Sequence, residues 1–331
     1  MKATFAIVVS TTVLAVFSTF ARAQCPDTPT TLLVPAYFYP LPDSPWQQLE
    51  QAAMGGARVV AILNPNSGPG TEVDPGYVAA IASARAAGVK LIAYVPTNYA
   101  GRSSAAVIAD VQQYINFYGL SNIDGVFWDE MSDEVSTLSY YQTITAGARA
   151  LIPNAFVVAN PGTNIPETLA VPSVADTFVL YENNTEGAVP FSTYEPPAWA
   201  LNGSSSRVAY IVYNSPDSSL SNTLNLAQQR NAGYVFVTDD VLDNPYDTLP
   251  AYWTNEWLRS LALCCDSVDF NNDSSIFDPM DIDAFLSVYS EGPCIPASAT
   301  CNGIDFNNDT SIFDPRDIDS FLSVYSEGPC F

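Results

Sequence analysis

Two carboxylates stand side by side at the end of an apolar run, Gly125-Val126-Phe127-Trp128-Asp129-Glu130. The run has the composition of a buried strand, where an unpaired charge carries a heavy desolvation cost. Paired acids at such a place point to chemistry rather than packing. A third acid, Glu182, closes another run as Tyr181-Glu182-Asn183. Cleavage of a glycosidic bond needs one acid to protonate the leaving oxygen and a second group to attack or stabilise the oxocarbenium-like carbon. Asp129, Glu130 and Glu182 are the candidate catalytic residues for that task. Other run ends carry Asn64, Asn160 and Asp239, and the aromatics Tyr37, Tyr39, Tyr94, Tyr99, Trp128 and Tyr181 lie among them. Rings beside carboxylates suit a sugar site, the ring stacking on a pyranose face, so these are the candidate substrate-binding residues. Asp240 reads instead as the cap of a following turn, and Asp124, just before Gly125, as a turn residue.

The elements that must position these groups alternate along residues 30–260. Eight β-rich runs occur at 31–39, 58–64, 90–97, 125–130, 155–160, 177–182, 207–213 and 233–239, with helical stretches such as 78–87, 105–118 and 136–151 between them. This alternation implies parallel strands joined by crossover helices, and eight units in this length fit a closed β/α barrel of the TIM type. Active sites in that fold gather at the C-terminal ends of the strands. An open doubly wound sheet is the alternative; no G-x-G-x-x-G follows the first run, against its dinucleotide-binding form.

Composition narrows the chemistry. The chain of 331 residues contains no histidine and carries a net charge of −24. Histidine-based acid–base catalysis, Ser-His and Cys-His nucleophiles and histidine-ligated metals are excluded. So acidic a chain is no partner for nucleic acid or an anionic membrane. Lys2, an apolar segment at 6–20 and Ala21-Arg22-Ala23 form a secretory signal with its cleavage site, so the mature chain is expected to begin at Gln24 and to be secreted, extracellular or cell-surface associated, with no membrane contact after cleavage. Export favours disulfides among the six cysteines, Cys25, Cys264, Cys265, Cys294, Cys301 and Cys330.

The C-terminus repeats itself with an offset of 36 residues: Asp269-Phe270-Asn271-Asn272-Asp273 recurs as Asp305-Phe306-Asn307-Asn308-Asp309, and the segment from Phe285 to Cys294 recurs from Phe321 to Cys330. The expected organisation is a signal peptide at 1–23, a barrel at 24–263 and a duplicated module at 264–331, the last with thirteen acids and one base, Arg316. Asp269, Asn271 and Asp273 match ligand positions 1, 3 and 5 of a calcium loop, with the carbonyl of Ser275 at position 7; Asp305, Asn307, Asp309 and Ser311 repeat them. Position 12 is Met280 or Arg316, so the closing acid is Asp281 and Asp317, or else Asp278 and Asp314. Ca2+ is thus the expected cofactor of the module, with none in the barrel. The symmetry of the repeat suggests disulfides Cys265–Cys294 and Cys301–Cys330, leaving Cys25–Cys264 as a staple; Cys264 and Cys265 can exchange roles.

Four stretches carry a family resemblance: Pro35-Ala36-Tyr37-Phe38-Tyr39-Pro40, Asn64-Pro65-Asn66-Ser67-Gly68-Pro69-Gly70, Tyr94-Val95-Pro96-Thr97-Asn98-Tyr99-Ala100-Gly101-Arg102 and Asp124-Gly125-Val126-Phe127-Trp128-Asp129-Glu130-Met131. The barrel region resembles the spherulation-specific, spherulin-four-like glycoside hydrolases. The resemblance implies an endo-acting barrel cleaving α-1,4-linked galactosamine or N-acetylgalactosamine polysaccharide, with the family's paired acids at Asp129 and Glu130 and its strand-six glutamate at Glu182. It adds Arg102 to the substrate-binding candidates. Ala93 and Ala100 stand where glycines are expected, and Tyr213 where histidine is common. The acetamido group of such a sugar also opens substrate-assisted catalysis as a mechanism. The tail resembles a dockerin-like module, which implies a cohesin-like or cell-surface partner. The competing reading is a non-catalytic carbohydrate-binding barrel tethered by the same calcium-dependent module.

Overall fold

A computed structural model describes residues 30–42, 44–185, 187, 189–261, 270–271, 278–296, 301–306, 312–313 and 315–325. The signal segment, Cys25, Cys264, Cys265 and Cys330, and the loop residues Asp269, Asp273, Ser275, Asn307, Asp309, Ser311 and Asp314 lie outside them.

Eight parallel strands close into a barrel in sequence order: β1 (Thr31–Ala36), β2 (Val59–Leu63), β3 (Lys90–Pro96), β4 (Gly125–Asp129), β5 (Phe156–Ala159), β6 (Thr177–Asn184), β7 (Val208–Tyr213) and β8 (Tyr234–Val237). Leu32 pairs with Val59 on one side and Val235 on the other, which closes the ring. The strands are Val-, Ile- and Leu-rich because both faces are covered, one by the barrel interior and one by helices. The crossover helices include α1 (Pro45–Met54), α2 (Pro75–Ala86), α3 (Ser104–Tyr118), α4 (Leu138–Leu151), α5 (Ala198–Asn202) and α6 (Asp217–Gln229), and α7 (Trp253–Ser260) follows the last strand. α3 buries Val107, Val111, Tyr114 and Tyr118, a stripe at helical spacing that packs on the barrel. Asp74 starts α2 by accepting from the N–H groups of Gly76 and Tyr77, ahead of Pro75 at the first helical position.

Two details fix the geometry around β4. Gly125 must lack a side chain, since a Cβ there would collide with the Phe156 carbonyl of β5. Asp124 accepts from the Leu91 N–H at 2.8 Å and pairs with Arg85 of α2. The arrangement recurs two strands on: Asp176, just before β6, accepts from the Val157 N–H at 2.8 Å and from Arg149 of α4 at 2.7 Å. Each Asp–Arg rung ties a strand start to its neighbour and to a helix, at the barrel end opposite the strand C-termini.

In the tail, α8 (Pro279–Tyr289) and α9 (Pro315–Tyr325) enclose a small core of Phe270, Phe285, Phe306 and Phe321. Phe285 and Phe321 occupy equivalent repeat positions and stack face to face, 4.2 Å between centroids and 2° from parallel. One disulfide differs from expectation: Cys294 bonds Cys301, at a Cα separation of 5.6 Å. That excludes Cys265–Cys294 and Cys301–Cys330. The connector between the repeats is short enough for the end of one to meet the start of the next. Asp281 and Asp317 are fully buried, and each turns one carboxylate oxygen back to its loop, Asp281 to the Phe270 N–H at 2.9 Å and Asp317 to the Phe306 N–H at 2.8 Å. Asp278 instead caps α8 through the Met280 N–H. Asn271 is buried beside Asp281, and Asp305 precedes Phe306 at the start of the second loop.

Candidate active site

Strand alternation decides which of the nominated side chains meet. Asp129, the last residue of β4, faces inward at the C-terminal rim. Its Oδ2 accepts from the Tyr94 hydroxyl of β3 at 2.6 Å, and its Oδ1 from Asn160 Nδ2 at 2.8 Å. Asn160 immediately follows β5, and the same nitrogen donates to Glu182 Oε2 on β6 at 2.5 Å. Glu182 Oε1 accepts from the hydroxyl of Tyr246 at 2.6 Å. Tyr37, just beyond β1, sets its ring edge-on to both Tyr94 (5.5 Å) and Tyr246 (5.6 Å). Side chains from β3, β4 and β6 and from the segments that follow β1, β5 and β8 thus form one closed constellation.

The amide of Asn160 is the link between the acids. An amide nitrogen carries two hydrogens, one for each carboxylate. Its oxygen is buried without a hydrogen-bond partner, so the whole donor capacity of the group serves the pair.

The carboxylates differ in environment. Burial pushes Glu182 above the usual carboxylate range, and the negative charge of Asp129 adds to it, against the opposing hydrogen bonds from Tyr246 and Asn160. Burial likewise raises Tyr37, Tyr94 and Tyr246, so all three remain protonated donors near neutrality. The described ion pairs, Arg85–Asp124, Arg102–Asp110 and Arg149–Asp176, involve none of the three candidate acids.

Glu130 takes no part in the shared-amide link. It has a left-handed backbone, φ 53°, and its Oε2 accepts from the Asn98 N–H at 3.0 Å. Asn98, Tyr99 and Ala100 are all left-handed, with φ 49°, 52° and 68°. This conformation costs an L-residue roughly 1–2 kcal/mol, which explains the expectation of glycine at Ala100. The turn is held against the two acids by its own bonds: the Thr97 hydroxyl reaches the carbonyls of Asp129 (2.9 Å) and Glu130 (2.7 Å), and the Tyr99 N–H the Glu130 carbonyl at 2.8 Å. Tyr99 is left 64% exposed at the rim.

The remaining nominees are dispersed. Trp128 is fully buried on the outer face of β4, its Nε1 donating to Thr145 of α4 at 3.0 Å. Tyr181 also faces outward, its hydroxyl on the carbonyls of Asn184 and Val189 and its ring against Phe191 and Tyr194. Asn64 Oδ1 accepts from the Gly68 N–H at 3.0 Å and shapes its own loop. Arg102 spans the Pro96 carbonyl and Asp110, each at 2.7 Å. Tyr39 is half exposed and donates to Asp74. Asp239 is exposed and accepts from the Ala251 N–H at 3.2 Å, while Asp240 accepts from the Val241 N–H as a turn residue does. Tyr246 was missed. It lies between β8 and α7 with no periodic pattern, and only the cluster Asp243-Asn244-Pro245 marked a turn there.

Comparison with known proteins places the barrel among its relatives. Residues 31–258 match the model of the spherulation-specific family 4. Spherulin-4 of Physarum polycephalum is 29% identical over 235 residues, covering 69% of this chain and 69% of that protein. The crystal structure of Aspergillus clavatus Sph3 in complex with GalNAc superimposes with a TM-score of 0.60 at 25% identity, covering 72% of this chain and all of that one. With a matched segment that runs from the first strand to the last helix of the barrel, the chain belongs to spherulation-specific family 4.

Proposed function

We propose that this protein is an endo-acting glycoside hydrolase that cleaves α-1,4-linked galactosamine or N-acetylgalactosamine polysaccharide. One observation carries the reading: two strand-end carboxylates, Asp129 and Glu182, are held by a single amide at the C-terminal rim of the barrel. The GalNAc bound by the Aspergillus clavatus relative supports the sugar class. Glu182, with its raised affinity for a proton, is the general acid. Its proton passes to the glycosidic oxygen as the C1–O bond breaks and the electron pair leaves with that oxygen. Asp129 forms the bond to C1 from the opposite face. Glu182, now ionised, then takes a proton from the water that displaces Asp129.

The spacing supports retention of configuration. Asp129 Oδ1 and Glu182 Oε2 share one nitrogen at 2.8 and 2.5 Å, so they are no farther apart than those bonds laid end to end, about 5.3 Å, which falls short of the inverting separation of about 6.5–9.5 Å. Assistance by the sugar's own acetamido group does not fit an α linkage, because that group lies on the same side of the ring as the leaving oxygen. Glu130, anchored through one oxygen to the Asn98 N–H, is assigned to substrate contact at the rim, where the exposed rings of Tyr39 and Tyr99 leave room for a continuing chain.

The same proposal covers an exported protein whose tail is organised by Ca2+ and docks on a cohesin-like or cell-surface partner. The buried carboxylates of Asp281 and Asp317, each returned to the start of its loop, suit the closing ligand of such a site. No helix among the described residues is long and apolar enough to cross a membrane. The test of the enzyme is incubation with a panel of amino-sugar polymers, with the first-formed anomer followed by NMR. Release of α-configured oligosaccharides is expected; no cleavage of any galactosamine-containing polymer, or a β anomer as first product, overturns the reading.

A further inference from the structure

Glu182 has two oxygens with unlike neighbours. Oε2 faces Asn160 Nδ2 at 2.5 Å. That end of the amide must be nitrogen, because it lies between two carboxylates, and an amide nitrogen can only donate. A proton on Oε2 would confront an N–H. Oε1 faces the hydroxyl of Tyr246 at 2.6 Å, and a phenol both donates and accepts. When Glu182 is ionised the hydroxyl donates to Oε1; when Glu182 is protonated the hydroxyl can turn and accept.

Resting on the assignment of Glu182 as the acid, we propose that its transferable proton is carried on Oε1 and that Tyr246 is the positioning residue that holds this proton until the leaving oxygen takes its place. The phenol is well fixed for that task. Tyr246 is 6% exposed, edge-on to Tyr37 at 5.6 Å, and 6.3 Å from Phe236 of β8. Its N–H is held by Asn244 Oδ1 at 3.3 Å, which sets the turn that delivers it. The groups facing Glu182 are Asp129 from β4, Asn160 after β5, Tyr37 beyond β1, Tyr94 from β3 and Tyr246, with Tyr213 of β7 beside Tyr246. Of these, Asp129 is the carboxylate, and its negative charge disfavours loss of the Glu182 proton. Tyr246 works in the other sense, since a hydrogen bond to the anion is stronger than one to the neutral acid. It keeps the acid strong enough to give its proton up. Tyr94 makes the equivalent 2.6 Å contact with Asp129, so each carboxylate has its own tyrosine and a share of one amide.

The experiment uses the full chain with Tyr246→Phe. Carboxyl ¹³C titration follows Glu182, assigned by the signal lost in Glu182→Gln, and the pH profile of hydrolysis is measured in parallel. The Glu182 midpoint is expected to rise by about one unit. The alkaline limb of kcat/KM should rise with it, and kcat should fall about tenfold while KM stays nearly constant. A midpoint and limb that do not move overturn the proposal, whatever happens to kcat. If the variant does not fold, the wild-type chain decides: the Tyr246 ring carbon bearing the hydroxyl should shift in NMR with the midpoint of Glu182, and no such step overturns the proposal. Coupled titration without cleavage of any polymer would leave the pairing standing and remove the hydrolase reading instead.

Discussion

Asn160→Ala tests the site at its centre. The substitution removes the one donor shared by Asp129 and Glu182, bonds of 2.8 and 2.5 Å. A hydrogen bond to a charged group contributes about 1.5–3 kcal/mol, so each anion loses that much stabilisation. The losses partly offset one another in deciding which acid holds the proton, since both fall together. What does not offset is position: the acids repel without the nitrogen between them, and both reacting oxygens leave their places. A net loss of about 3–4 kcal/mol in the transition state lowers kcat/KM roughly 10²–10³-fold. Stability should respond far less. Asn160 also buries an unpartnered oxygen, and removing such an acceptor returns about 1–3 kcal/mol, against the lost bonds and a small cavity. The measurements are initial rates of reducing-end release and calorimetric unfolding of the same preparations. A variant that keeps kcat/KM within about tenfold of wild type, a loss of only ~1.4 kcal/mol, would refute the shared-amide account.

Three further outcomes are expected. Asp129→Asn and Glu182→Gln should each abolish turnover without lowering the unfolding temperature, and Asp129→Asn should still bind oligosaccharide by calorimetry; hydrolysis surviving in both removes the catalytic assignment. Glu256 of α7 is wholly buried with Oε1 on the Val237 N–H, and burial holds its carboxyl well above the usual range. The native state therefore binds this proton more tightly than the unfolded chain. Its stability contribution is complete below the ordinary carboxylate value of about 4.3 and is lost as pH climbs through the raised native value. Glu256→Gln should flatten the fall of melting temperature with rising pH, and an unchanged slope counts against it. Chelation of calcium should lower amide-exchange protection in α8 and α9 while leaving the barrel strands untouched, and Asp281→Ala or Asp317→Ala should reproduce the effect in one repeat; protection indifferent to chelator would dismiss the calcium assignment.

The barrel was legible because each strand is a short, mostly apolar run, so the eight expected positions coincide with β1–β8 to within a few residues. The acids stood out in the sequence because charge at the end of such a run has no packing use, and the structure brings Asp129 and Glu182 to one amide. Alternation was under-used. Trp128 precedes Asp129 and Tyr181 precedes Glu182, and adjacent strand residues face opposite sides, so only one of each pair can enter the site; in both it is the acid. Asn64 and Arg102 look like ligand residues, and the structure bonds Asn64 Oδ1 within its own loop and Arg102 to Asp110 of the helix that follows. Tyr246 left no trace because a loop residue has no period, and its partner Glu182 lies 64 positions away. Repeat symmetry misled the disulfide assignment, since the bond between Cys294 and Cys301 joins two copies across a connector that belongs to neither.

The two Asp–Arg rungs, Asp124 with Arg85 and Asp176 with Arg149, have a consequence for how this molecule can change. They hold the strand starts, and no residue of the rim takes part in them. A barrel laced at one mouth tolerates rewriting at the other. Sequence drift or a designed library confined to residues 38–42, 98–101 and 239–243 would reshape what the rim accepts while the lacing keeps the strands in register. The same diversity spread over Arg85, Asp124, Arg149 and Asp176 would draw down the fold and yield no new specificity. The chain is thus divided, end from end, into a part to conserve and a part to explore.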